Sequence, residues 1–282
     1  MSVAIFDDRP CHLGEGPLWH PLRQQLFWFD ILERRMLSRR DGAALEWQFD
    51  EMASAAGWVD ADTLLIATET GLIRFDPGTG RQERLADIER DNAVTRSNDG
   101  RADPMGGFWI GTMGKRAEPG AGAIYRFHGG EVRCLVEGVS IPNSICFRED
   151  GRLAYWADTA EQRIFRTPLD PDGWPEGPHE LFLDLAPEGI HPDGSVVDAE
   201  GGLWNARWGA GQVARYLPDG TPDRVIDLPA SRTTCPAFGG PGFGRLFVTS
   251  AREGLSAPHA EDGTVFELAA PVAGRPESRV RL

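Results

Sequence analysis

No stretch of the 282-residue chain approaches 18 consecutive apolar residues, which excludes a membrane-spanning helix. Basic side chains are outnumbered, 29 Lys and Arg against 43 Asp and Glu, for a net charge of −14. A chain so acidic is unsuited to the phosphate backbone of nucleic acids or to anionic membranes, so neither is expected as a partner. The opening residues, MSVAIFDDRPCHLGEG, lack the basic start and long apolar run of a secretory signal, and a cytoplasmic location is expected. Only four cysteines are present, Cys11, Cys134, Cys146 and Cys235, with no CxxC pair. At this size and spacing they read as buried, reduced thiols rather than a disulfide framework. Helical periodicity is nearly absent; its best instance is short, around Leu85 to Asn92. There is no HExxH pair, no GxSxG elbow, and GGPGFGR (239–245) has glycines without the order or the following helix of a nucleotide loop. It reads as a hairpin turn, and His191 as a loop histidine.

What the chain does have is repetition. An apolar, aromatic-rich strand begins at Leu26, Leu64, Phe108, Leu153, Leu203 and Leu246, at intervals of 38, 44, 45, 50 and 43 residues. A turn signal precedes each one (PLRQQ, DADT, DPMGG, REDGR, DAEGG, PGFGR) and a second strand follows. Repeats of this length with about four strand-sized pieces predict propeller blades. The fold expected is all-β: one six-bladed propeller domain spanning residues 1–282. Two strand-like runs fall outside the repeats, SVAIFD (2–7) and ESRVRL (277–282). The expectation is that they complete one blade together and so leave no exposed edge. The nine tryptophans fall mostly on strand positions and read as blade-to-blade core; for Trp208, after the inner strand of the fifth repeat, stacking on a ligand is the alternative to core.

Stepping back ten or eleven residues from each repeated strand reaches Glu15, Ser54, Asn98, Asn143, Asp193 and Cys235 or Pro236. In a propeller these positions lie at one level on the innermost strands, facing the axis. Four of the six carry a carboxylate or amide oxygen. Buried unpaired carboxylates are costly, so convergent Glu and Asp side chains call for a cation. An all-oxygen set suits one divalent ion, Ca²⁺, Mg²⁺ or Mn²⁺, and can serve Zn²⁺ or Fe²⁺. The register alone does not separate ligands from neighbours among the four.

These motifs, LGEGPLW (13–19), RSNDGRADPMGGFWIGTM (96–113), IPNS (141–144), PDGSVVDAEGGLWNARW (192–208), CPAFGGP (235–241) and TSAREGL (249–255), resemble the gluconolactonase/regucalcin (senescence-marker-protein) family over nearly the whole chain. The bacterial sugar lactonase branch looks closest. The resemblance implies metal-dependent hydrolysis of a sugar lactone to the aldonic acid; a monomer or weak homo-oligomer is expected. It implies Glu15, Asn143 and Asp193 as metal ligands, and Arg96 and Asn98 as substrate contacts. Asp193 is the expected general base, with hydroxide on the metal as the alternative. Glu118, in a loop of different length from the family's, is a further substrate contact by the same resemblance. Ser144 departs from the pattern, where many members have Gly after the ligand Asn. Two other readings stay open: a phosphotriesterase- or arylesterase-type propeller hydrolase, and a non-catalytic calcium-binding propeller.

Overall fold

The structure, a computed structural model, describes residues 2–282. Six four-stranded antiparallel sheets form a ring of blades. Blade 1 runs outward through Gly14–His20, Gln25–Asp30, Arg35–Arg40 and Ala43–Gln48. The inner strands of blades 2 to 6 are Ala53–Asp60, Thr95–Ala102, Pro142–Phe147, His191–Val197 and Thr233–Gly239. The repeated apolar runs are the second strand of every blade. They read as continuous apolar stretches because both faces are covered. In LFWF, Phe27 and Phe29 pack with Leu64 and Ile66 of blade 2, while Leu26 and Trp28 pack with Phe247 of blade 6. Each such side chain, fully buried, contributes about 1.5–3 kcal/mol. The core therefore lies between blades, not within one sheet.

The chain end closes the ring differently from the expectation. Ala4–Asp7 is indeed an outermost strand, added to blade 6, but its partner is Val265–Ala269, with Ala4 opposite Glu267 and Ile5 opposite Phe266. Residues 277–282 form no strand. They belong to a tail that crosses the lower face of the ring, bonding one blade after another. The Ala199 amide donates to Ala273 O, and Arg275 donates to Asp198 O and Phe147 O. Trp58 Nε1 donates to Glu277 O at 2.7 Å, and the Val280 and Arg281 amides reach Trp58 O and Gly106 O. Glu277 pairs with Arg101, which also donates to Ile145 O and Ser195 O across the axis, at 3.0 Å each. The tail thus straps the blades together and shuts the channel from below.

Two other expectations change. Leu85–Asn92 is not helical: Gln82–Asp87 is the outer strand of blade 2, followed by a turn with Glu89 at φ 48°. Glu89 is held there by long-range bonds, accepting from Tyr125 Oη at 2.8 Å and Thr112 Oγ1 at 2.9 Å. All four thiols are free, yet Cys134 is exposed rather than buried. No helix among the described residues is long and apolar enough to cross a membrane; the helical turns among them are Ala186–Glu188 and Pro241–Phe243, the latter within the 239–245 hairpin connection.

Candidate active site and metal centre

Every inner strand breaks register near the level picked out by the repeats: between Glu15 and Leu18, Ala53 and Ala55, Ser97 and Gly100, Asn143 and Cys146, Pro192 and Ser195, Thr233 and Pro236. Such bulges re-aim side chains out of the sheet plane, here toward the upper mouth of the channel. Close packing at the axis demands glycine beside two of the oxygens. Gly16 has φ +53°, and a Cβ there would lie 2.1 Å from Ser54 O; a Cβ on Gly194 would meet Cys235 Sγ at 2.3 Å.

Glu15, Asn98, Asn143 and Asp193 converge on one cavity of 410 Å³, together with Arg96. All five side chains belong to residues no more than 6 % exposed. The remaining two register positions do not face the cavity. Ser54 Oγ donates to Ser97 Oγ, and beside Cys235 Thr234 Oγ1 bonds Gly14 O, so these positions lace neighbouring blades together. A larger hollow of 510 Å³ opens between blades 6 and 1, but its Arg35 is already paired with Asp30 and Glu46.

The carboxyls of the site are held in an unusual state. Burial, then the charge of Asp99, pushes Glu15 up to about 8. Burial, then the charges of Glu15 and Asp99, pushes Asp193 well above the ordinary carboxylate range. The charge of Arg96 pulls Glu15 down, but burial and Asp99 outweigh it; the guanidinium Nη1 donates to Ser97 O and Asn98 Oδ1, both at 2.8 Å, rather than to either carboxyl. Two carboxyls that burial drives toward their protonated forms, beside an amide oxygen, fit a divalent ion. Among the described residues no three His, Cys, Asp or Glu side chains cluster as ligands, so such a site needs the Asn143 amide.

Ser144 stands in a left-handed conformation, φ 58°, which costs a non-glycine residue about 1 kcal/mol or more. Its hydroxyl donates to Asp193 O at 2.6 Å and accepts from Ser195 Oγ at 2.9 Å. The departure from glycine thus adds a latch on the backbone that carries Asp193.

Glu118 is not among the residues lining the cavity. It is partly exposed, and its carboxylate accepts from the Arg116 amide at 3.0 Å, folding the loop on itself. Its neighbours Lys115 and Arg116 line the mouth instead, and Lys115, the chain's only lysine, pairs with Glu69. Trp208, expected in the core, also lines the cavity, with the Arg232 guanidinium 4.8 Å over its ring. His191, expected in a loop, instead opens the inner strand of blade 5, paired with Trp208, and lies outside the cavity, exposed, near Gln162. Sequence reasoning missed Thr159, Lys115, Arg232 and Glu253. Glu69, Lys115 and Thr159 each directly follow the second strand of their blade, so the same repeat alignment, read at the strand's other end, would have reached them.

The profile of the SMP-30/Gluconolactonase/LRE-like region matches residues 13–252. The chain belongs to this family. Among the lactonase-family relatives, L-arabinolactonase of Azospirillum brasilense is 37 % identical over 99 % of this chain and 95 % of its own. The 6-deoxy-6-sulfogluconolactonase of Pseudomonas putida is 35 % identical over 94 % of each. The crystal structure of a calcium-binding protein, regucalcin, from Agrobacterium tumefaciens C58 superposes with a TM-score of 0.97 at 43 % identity, covering 100 % of this chain and 98 % of that one.

Proposed function

We propose that this protein hydrolyses an aldonolactone to the aldonic acid with the help of one divalent cation, as an enzyme of carbohydrate breakdown. The observation that carries the reading is the pair of buried, proton-favouring carboxyls, Glu15 and Asp193, set with Asn143 on the floor of a cavity beside Arg96 and Asn98. The named relatives are lactonases acting on sugar-derived lactones, in keeping with it.

Glu15, Asn143 and Asp193 would hold the cation, whether Ca²⁺, Mg²⁺, Mn²⁺, Zn²⁺ or Fe²⁺; the chemistry it supplies is Lewis-acid polarisation of the lactone carbonyl. Asp193 accepts the proton of the water that attacks the carbonyl carbon, and returns it to the ring oxygen as the ester bond breaks. Arg96 and Asn98 bind the sugar hydroxyls and orient the ring for attack. Glu118, turned away from the cavity, is left without a role in these steps.

The test is a pH-indicator assay with gluconolactone, xylonolactone, arabinonolactone and galactonolactone, on protein stripped by chelation and then reloaded with each cation. Turnover of at least one lactone, lost on stripping and restored on reloading, is expected. Reloaded protein that leaves every lactone at its spontaneous rate overturns the lactonase reading, and turnover indifferent to chelation overturns the cation.

A further inference from the structure

A single chain of hydrogen bonds runs through the floor of the cavity and spans blades 3, 4 and 5. Arg96 Nη1 donates to Asn98 Oδ1 at 2.8 Å. Asn98 Nδ2 donates to Asn143 Oδ1 at 3.1 Å and to Pro142 O at 3.0 Å. Asn143 Nδ2 donates to Thr159 Oγ1 at 2.9 Å, and Thr159 Oγ1 donates to Pro192 O at 2.6 Å.

The chemistry of the two ends dictates every link between them. A guanidinium can only donate and a backbone carbonyl can only accept. Arg96 therefore requires the oxygen of the Asn98 amide, which turns the Asn98 nitrogen toward Asn143. That nitrogen requires the Asn143 oxygen, which turns the Asn143 nitrogen toward Thr159. The Thr159 hydroxyl spends its one proton on Pro192 O, and so meets Asn143 as an acceptor. Reversing either amide would set two donors or two acceptors face to face in a buried place, at a cost of about 1–3 kcal/mol.

We propose that Thr159 is a positioning residue for the cation site, holding the Asn143 amide so that its oxygen, which keeps a second lone pair beyond the bond from Asn98, is the atom presented as a ligand. Asn98 grips one end of the amide and Thr159 the other; two points of attachment fix the plane of the group as well as its polarity. Thr159 is 7 % exposed and follows the second strand of blade 4, whose inner strand carries Asn143, so the clamp is built within one blade and anchored on the next through Pro192. The inference rests on the cation reading above. It goes beyond it by assigning a residue that no resemblance supplied.

The test compares Thr159→Val and Thr159→Ala, which lack the hydroxyl, with Thr159→Ser, which keeps it. Mn²⁺ affinity of the full, metal-stripped chain is measured by calorimetry. Loss of such an orienting partner weakens binding about 10–100-fold, so both hydroxyl-less variants are expected in that range and the Ser variant near wild type. In the metal-free protein, the Asn143 side-chain amide protons, assigned by their loss in Asn143→Asp, exchange slowly with solvent in wild type and Thr159→Ser and fast in Thr159→Val. Hydroxyl-less variants that bind Mn²⁺ as tightly as wild type, or a Ser variant weakened as much as the Val variant, overturn the role of Thr159 alone. A wild type that binds no divalent cation overturns the cation reading, and this role with it.

Discussion

The two ends of the central channel are built from the same material and do opposite things. At the upper mouth, buried Glu15 and Asp193 face a cavity and form no ion pair with the nearby Arg96, whose Nη1 donates to Ser97 and Asn98 instead. At the lower end, buried Arg101 meets Glu277 of the tail, and two backbone carbonyls take its other donors. A buried charge that is paired and fully bonded is a lock. Buried carboxyls left without such a partner keep a standing affinity for a cation, and the proposed chemistry sits where that affinity is.

Three experiments press on this contrast, from the largest expected effect to the smallest. Asp193→Asn keeps the shape of the mouth but removes its charge. Lactone hydrolysis is expected to fall by at least about 10³-fold, within the range a positioned proton acceptor supplies. The melting temperature should hold or rise, because a strained carboxyl is gone. A variant that keeps most of its activity would erase the distinction between the two ends. Glu277→Ala breaks the lower pair and strands Arg101, at a cost of about 3–5 kcal/mol. At about 2–4 °C per kcal/mol for a chain of this order of size, calorimetry should show a clear drop in melting temperature, with kcat/KM of the folded protein little changed. Lost activity without lost stability would mean that the lower end belongs to the site.

The third experiment concerns the strand that closes the ring. Asp7 is buried, which raises its proton affinity, but hydrogen bonds from Arg9 and Arg39 outweigh burial and hold its carboxyl below the ordinary value of 3.8. Arg39 lies on the third strand of blade 1, so the pair ties the closing strand of blade 6 to its neighbour. A depressed carboxyl contributes stability above its unfolded value that disappears as pH falls through the folded one. Wild type should therefore lose more stability than Asp7→Asn between about pH 5 and pH 3, as read by urea denaturation. Parallel curves for the two proteins would remove Asp7 from the closure.

The ring was legible because each blade buries both faces of its second strand, so LFWF, LLIA and LAYW stand out at even intervals. The site was legible in part for the same reason: a short turn of nearly constant length separates each inner-strand bulge from that second strand, and so keeps Glu15, Asn98, Asn143 and Asp193 in step. The tail was misread because alternation in ESRVRL records one buried face without recording what covers it. An extended segment lying across strand ends buries Val280 as well as a paired strand would. Trp208 does both jobs: it packs against the core between blades, as its strand position suggested, and as the last residue of its strand it also reaches the mouth. Thr159 could not be found by residue type, since its role lies in which way a hydroxyl proton points.

The closing strand also sets a schedule for synthesis. Ala4–Asp7 leaves the ribosome well ahead of its partner, which begins only at Val265. At about 5–20 residues per second, the wait between them is roughly 13–50 s. Throughout it the ring stays open, with Ile5 and an unpaired backbone edge presented to whatever else is near the ribosome.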